Sequence, residues 1–176
     1  MAWQDNLLTT TEQIRDLIKQ TKRIAALGIK TDAQADQPSV YVPQYLQRAG
    51  FEIIPVPVYY PDATEILGEK VYRTLTDIPG DIDMVDVFRR PNDIAGHVED
   101  ILAKKPKSVW FQSGIRHGLD HADPNARFLV AEHVHRLGGL QHHQPHRLDF
   151  TARLRDDLEI AAEMGDLLAE GFARQA

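Results

Sequence analysis

The end of the first apolar run in the sequence carries residues that could hold a phosphate-bearing ligand. Gly28, Ile29 and Lys30 end this run. Glycine lets the backbone approach a ligand closely, and lysine adds a full positive charge. Pro38 and Ser39 stand where a helix can begin, and the first turn of a helix presents free amide hydrogens and a partial positive charge. This combination suits a phosphate.

Two later apolar runs end in residues that could hold the rest of such a ligand. Val56 and Pro57 end the segment FEIIPVP, where prolines fix φ and build a stiff apolar wall that could hold an adenine ring or a pantetheine arm. A rigid exit from the strand is the alternative interpretation. Val87, Phe88 and Arg89 end the next run. An arginine there can bind a phosphate or carboxylate with two hydrogen bonds, and the alternative is an ion pair with a neighbouring aspartate.

A fourth apolar run ends in groups that orient a ligand without reacting with it. Gln112, Ser113, Gly114 and Ile115 supply an amide, a hydroxyl and an unhindered backbone. A turn with capping roles is the alternative interpretation of this segment. In open parallel sheets, ligands bind beyond the carboxyl ends of the strands, so all four segments are expected to meet at one edge.

The elements that position these residues can be predicted from hydrophobic periodicity. Strands are predicted at residues 24–27, 51–58, 84–88 and 108–111, because these runs are short and apolar on both faces. Helices are predicted at residues 10–20, 38–49, 91–103 and 125–136, and a brief helix or strand at residues 71–75. Thr9 or Thr10 can open the first helix with a capping box.

Strands that alternate with helices of about a dozen residues form βαβ units. The predicted fold is therefore α/β, a Rossmann-like doubly wound parallel sheet in a single three-layer domain of residues 1–148. An extra C-terminal helix is predicted at residues 149–176, where apolar residues recur every three or four positions. This amphipathic helix packs either on the domain or on a partner in a homodimer.

Composition excludes several kinds of protein. The chain has 176 residues, a net charge of −6 and no cysteine, so disulfides, thiolate zinc sites and cysteine nucleophiles are ruled out. The negative charge argues against nucleic acid and anionic membranes as partners. No apolar run approaches the roughly 20 residues that span a bilayer, and no signal core begins the sequence. A cytoplasmic location is expected.

Histidines suggest an alternative chemistry. Seven of the eight lie between His117 and His146, and pairs such as His133 with His135 could share a metal ion on a strand or loop. No H-E-x-x-H pair occurs, and a polar, partly exposed stretch is the competing interpretation. The G-x-G-x-x-G pattern is also absent, which argues against an NAD(P)-dependent oxidoreductase on the same fold.

Several sequence motifs resemble those of the small bacterial and archaeal CoA-binding proteins, which share the Rossmann-like CoA domain of the succinyl-CoA synthetase α subunit. The motifs are VPxYL at residues 42–46, AGFxIIPV at 49–56, EILGExVY at 65–72, DMVDVFR at 83–89 and VWFQSGIR at 109–116. Two departures occur: Pro57 stands where the family has asparagine, and the family's later Asp-Arg-Cys sequence has no match.

The resemblance implies a ligand and a role. It implies a pocket for coenzyme A or an acyl-CoA, with the diphosphate near residues 28–30. The adenosine and pantetheine parts would run past residues 56–57, 87–89 and 112–115. It implies no catalytic nucleophile and no metal, and hence a non-catalytic, regulatory binding protein. An NAD(P)-dependent oxidoreductase and a histidine-based metal-binding protein are the alternatives.

Overall fold

A computed structural model of the chain describes Leu8, residues 10–112 and the strand at residues 127–130. The strands are β1 (Arg23–Leu27), β2 (Glu52–Val56), β3 (Glu65–Ile66), β4 (Glu69–Lys70), β5 (Met84–Val87), β6 (Ser108–Phe111) and β7 (Arg127–Val130). The α-helices are α1 (Thr11–Gln20), α2 (Pro38–Arg48) and α3 (Val98–Lys104), with 3-10 helices at Asp32–Gln34 and Pro91–His97. The predicted C-terminal helix lies outside the described residues.

Five strands form a parallel sheet in the order β2-β1-β5-β6-β7, and β3 and β4 form a separate antiparallel hairpin. The chain moves outward from β1 to β2 and then crosses back to place β5 on the other side of β1. The order of the strands therefore reverses between β1 and β5. In this kind of sheet, a crevice for ligands opens at such a point.

Helices and loops cover both faces of the sheet because successive strand residues point to opposite faces. Ile24 and Ala26 of β1 belong to one apolar cluster, which also contains residues of α1 and α2. Ala25 and Leu27 belong to a second cluster, which contains Ile101 of α3. Burial on both faces explains the continuous apolar runs. The predicted Rossmann-like α/β fold is confirmed.

The first helix begins where its capping residues predicted. The hydroxyl of Thr10 accepts a hydrogen bond from the amide of Gln13 at 3.2 Å, and the side-chain oxygen of Gln13 accepts one from the amide of Thr10 at 3.2 Å. This reciprocal pair satisfies two amides that the first turn leaves without helical partners. Of the two capping boxes that the sequence allows, the structure therefore contains the one that begins at Thr10.

The helix predicted at residues 125–136 is wrong at its start, where the chain forms a strand. β7 pairs in parallel with β6, so that Ser108 lies opposite Arg127 and Phe111 opposite Val130. The run Phe-Leu-Val is short enough to be read as a strand or as one face of a helix. Pairing with the neighbouring strand decides between them. Residues 131–136 lie outside the described part of the chain.

The brief regular element predicted at residues 71–75 is also wrong. Residues 71–83 form an irregular connection from the hairpin to β5. The carboxylate of Asp100 on α3 accepts hydrogen bonds from the amides of Leu75 at 2.6 Å and Thr76 at 3.1 Å. The ammonium of Lys104, also on α3, donates to the carbonyl oxygens of Ile78 and, at 2.7 Å, Gly80. These long-range bonds replace a helical or strand pattern.

Asp83 ties three strands together at the amino-terminal edge of the sheet. Its carboxylate accepts hydrogen bonds from the amides of Lys22 at 2.9 Å and Arg23 at 3.0 Å, and from the ammonium of Lys107 at 2.6 Å. Burial raises the pKa of Asp83, but these hydrogen bonds outweigh it and leave the pKa below the ordinary value of 3.8. The ionised form is therefore favoured by folding.

Replacing Asp83 by asparagine is expected to lower the free energy of unfolding by about 1–2 kcal/mol at pH 7. Because the pKa of Asp83 is lower in the folded state, its contribution is present above about pH 4 and is lost as the pH falls through the folded pKa. Urea unfolding at pH 7, 5 and 3 measures this. The exposed Asp62→Asn serves as control. A difference between wild type and D83N that is unchanged at pH 3 would contradict the assignment.

Candidate functional site

The exits of β1, β2 and β5 lie beside one another at the carboxyl edge of the sheet. The amide of Gly28 donates to the carbonyl oxygen of Val56 at 2.9 Å, and the amide of Phe88 donates to the carbonyl oxygen of Leu27 at 2.8 Å. These bonds extend the sheet pairing one step beyond the strands. The structure therefore brings together three of the four segments that the sequence singled out.

Gly28 makes the contact between the β1 and β5 exits possible. Its φ is +88°, in the region that favours glycine. A Cβ atom placed there would lie 2.6 Å from the carbonyl oxygen of Phe88 and 2.8 Å from Cδ of Arg89. The close approach that glycine permits is thus to the protein's own β5 exit. The predicted approach of Gly28 to a ligand stays a prediction.

Several predicted site residues form the floor beneath these exits. Ile29, Val56 and Val87 are at most 1% exposed and belong to the two core clusters. Pro57 is buried as well, and Phe88 is half-buried against the first cluster. Because core packing occupies these side chains, their part in a ligand site is to shape its floor and to offer backbone groups.

The amino terminus of α2 has the features expected of an anion site. The helix begins at Pro38, its cap residue Gln37 makes no side-chain capping bond, and its first turn holds no acidic residue. Ser39 is 8% exposed, and Lys30 is half-buried on the chain that leads from β1. The helix dipole favours a negative group there, while the amides of Val40 and Tyr41 already donate to the carbonyl oxygen of Gln37.

A link between the α2 entry and the β3–β4 hairpin was not predicted. The carboxylate of Asp32 accepts a hydrogen bond from the amide of Leu67, with both oxygens at 3.3 Å from the nitrogen. The side-chain amide of Gln47 donates to the carbonyl oxygen of Leu67 at 3.0 Å. Leu67, the first residue of the hairpin turn, is therefore held through its amide by Asp32 and through its carbonyl oxygen by Gln47 of α2. No sequence signal connects residues so far apart.

Arg89 is buried beside Gly28 and is weakly paired. Its side chain is 8% exposed, and the nearest carboxylate contact is Nη2 to Asp93 at 3.4 Å. Its Nε is buried and has no hydrogen-bond acceptor. The guanidinium carbon lies 4.9 Å from the centre of the Tyr59 ring. Of the two interpretations from sequence, the ion pair with a neighbouring aspartate is present, yet it leaves hydrogen-bonding capacity unused.

His97 is a weak base beside this guanidinium. Burial lowers the pKa of His97, and the charge of Arg89 lowers it further, while the carboxylates of Asp100 and Asp93 partly oppose the change. The imidazole is therefore mostly neutral at neutral pH, since its ordinary pKa is 6.5. The positive charge in this part of the site then belongs to Arg89.

Gln112 at the exit of β6 is held by a buried carboxylate. Its side-chain amide donates to Asp86 of β5 at 2.7 Å, and Asp86 is 3% exposed. This bond fixes the amide across the neighbouring strand. Asp86 interrupts the apolar run of β5, which was the signal that could have marked it. Ser113, Gly114 and Ile115 lie outside the described residues, so their part in the site stays a prediction.

The histidine-rich segment proposed as a metal site also lies outside the described residues. Within the part of the chain that is described, no group of three or more His, Asp or Glu side chains could hold a metal ion. Within the same part, the helices are too short or too polar to cross a bilayer.

The sheet order, which reverses between β1 and β5, defines a Rossmann-like α/β protein. A family model described as CoA binding domain matches residues 22–139, and the chain belongs to this family. The resemblance inferred from the sequence is thereby confirmed.

Related proteins support the same placement. The chain is 37% identical over 103 residues to the uncharacterized protein YneT of Bacillus subtilis strain 168. The matched region covers 58% of this chain and 73% of YneT. A solved structure from Thermus thermophilus, cell-free ID.343, has a TM-score of 0.64 and 31% identity and covers 73% of this chain and 98% of its own. A hypothetical protein from Pyrococcus horikoshii OT3 has a TM-score of 0.61 and 29% identity, and the match covers 74% of this chain and 93% of that protein's chain.

Proposed function

We propose that this chain binds coenzyme A or an acyl-CoA at the crevice between β1 and β5 and does so without catalysing a reaction. The observation that carries the proposal is the contact between the β1 and β5 exits at Gly28, in a member of the CoA-binding domain family. Strand exits at such a point form the ligand crevice of this kind of fold.

The residues at the crevice divide the proposed ligand among them. The start of α2 and Lys30 suit the diphosphate, because the helix dipole and the ammonium both offer positive charge. Arg89 suits a further phosphate, since its Nε–H has no acceptor. The apolar floor of Val56 and Pro57 suits the uncharged parts of the ligand. Residues 113–115 are expected to complete the far side.

A binding role without catalysis is supported by the chemistry of these groups. The chain holds no cysteine nucleophile, and the guanidinium of Arg89 is a hydrogen-bond donor rather than a nucleophile. The amide of Gln112 already donates to Asp86, which orients it. Burial and the charge of Arg89 lower the pKa of His97, which makes it a weaker base. A regulatory role and a cytoplasmic location are part of the proposal.

A ligand panel tests the proposal. Coenzyme A is expected to stabilise the protein by about 2.7 kcal/mol at a concentration of 100 Kd, because it binds the folded state alone. Thermal unfolding with CoA, acetyl-CoA, NAD, NADP and ATP measures this, and calorimetry gives Kd. A clear shift with NADP and none with millimolar CoA would refute CoA binding.

The absence of catalysis is tested with the same protein. Acetyl-CoA incubated with it is expected to be recovered intact by mass spectrometry, in the same yield as from a buffer control. Time-dependent release of free CoA thiol above that control, proportional to protein concentration, would refute the non-catalytic role while leaving the binding proposal standing.

A further inference from the structure

Tyr59 is a large aromatic residue whose position core packing does not explain. It is 66% exposed, and among the described residues Val58, at 37%, is the other exposed large hydrophobic side chain. One face of the Tyr59 ring lies against the guanidinium of Arg89, at 4.9 Å. Because two thirds of the residue is exposed, the opposite face is open to solvent.

Hydrogen bonds from Arg73 fix the backbone of the loop that carries Tyr59. The guanidinium of Arg73 donates to the carbonyl oxygens of Tyr60 at 2.8 Å, Pro61 at 2.8 Å and Ala63. Pro57 is buried and sets φ at the exit of β2. The backbone of the loop that carries Tyr59 is therefore fixed before a ligand arrives, which reduces the entropy lost on binding.

The stack leaves the edge of the Arg89 guanidinium for hydrogen bonding. An aromatic ring covers the flat face of a guanidinium, and the N–H groups lie along its edge. At that edge Nε has no acceptor, and the contact of Nη2 with Asp93 is long at 3.4 Å. A buried donor without a partner carries a free-energy cost that an anionic ligand group can remove.

We infer that Tyr59 binds the adenosine half of the ligand, an inference that rests on the proposed CoA site. The adenine ring stacks on the open face of Tyr59, and a phosphate of the same half accepts hydrogen bonds from the edge of Arg89. In doubly wound folds, the adenosine part of a dinucleotide lies beside the end of the second strand, and Tyr59 follows β2 by three residues. Stacking is favourable for any base, and Arg89 adds the requirement for an adjacent phosphate.

Calorimetric titration with CoA and with its two halves, adenosine 3′,5′-bisphosphate and 4′-phosphopantetheine, tests the inference. Tyr59→Leu is expected to weaken binding of CoA and of the bisphosphate about tenfold, the typical loss for one base stack. Tyr59→Phe keeps the ring and is expected to stay within about twofold of wild type. Val58→Ala is the matched control, because Val58 is the exposed neighbour on the same loop.

The outcomes separate this inference from the proposed function. Wild-type protein that does not bind CoA would refute the CoA site itself. Wild-type protein that binds CoA while Y59L behaves like V58A, or binds CoA more tightly, would overturn the role of Tyr59 alone. An equal loss for 4′-phosphopantetheine would also overturn it, because the ring would then contact the other half. Circular dichroism checks that Y59L is folded, as expected for an exposed position.

Discussion

Gly28→Ala is expected to lower the free energy of unfolding by about 2–4 kcal/mol. Two costs add. A positive φ of +88° disfavours alanine, and the new methyl carbon would lie 2.6 Å from a backbone oxygen of Phe88. The oxygen belongs to the main chain at the β5 exit, so relief requires the two exits to separate. Urea unfolding of both proteins measures the loss.

Gly50→Ala is the matched control for this change. Gly50 also has a positive φ, of +99°, but a Cβ atom there meets nothing within 4 Å. It therefore carries the backbone cost of about 1–2 kcal/mol without the steric cost. Equal losses for G28A and G50A would show that the exits of β1 and β5 are not packed against each other, and the proposed crevice would lose its main support.

Arg89→Met is expected to reduce CoA affinity about 10–100-fold while leaving stability unchanged or slightly higher. Methionine keeps the apolar stem that packs over Gly28 and removes the charge. The folded protein loses little, because Nε has no acceptor and the pair with Asp93 is long at 3.4 Å. The ligand loses a charge-assisted hydrogen bond, which is the stronger kind.

For this prediction to hold, the CoA affinity must fall while the free energy of unfolding stays unchanged or rises slightly. Calorimetry gives the CoA affinity and urea unfolding gives the stability of R89M, with Arg90→Met as control because Arg90 is the exposed neighbour in sequence. A large loss of stability would show that Arg89 holds the fold rather than the ligand. An affinity equal to that of R90M would remove Arg89 from the proposed site.

The sheet could be predicted from the sequence because its strands are buried on both faces. Four of its five strands appear as short apolar runs, and the turn residues around them set their bounds within about two residues. β7 was missed because Phe128, Leu129 and Val130 fit either kind of element, and only pairing with β6 distinguishes them. The irregular connection at residues 71–83 was missed because side chains of α3 determine it.

The site could be located but not assembled from the sequence. Parallel strands place their carboxyl ends at one edge, so the exits at Gly28 and Arg89 were expected to meet. The stack of Tyr59 on Arg89 and the bond between Gln112 and Asp86 were not predicted. Each joins residues about 26 to 30 positions apart, and nothing local to either partner signals the other.

The hydrogen bonds between α3 and the connection that precedes β5 have a thermodynamic consequence. α3 has seven residues, too few to be stable alone in water, and residues 74–80 lack a regular pattern of their own. Asp100 and Lys104 bind that segment at two points. Each piece is therefore expected to lose its shape when the other opens, so these two stretches form one cooperative unit. That unit covers the back of the strand whose exit carries Arg89.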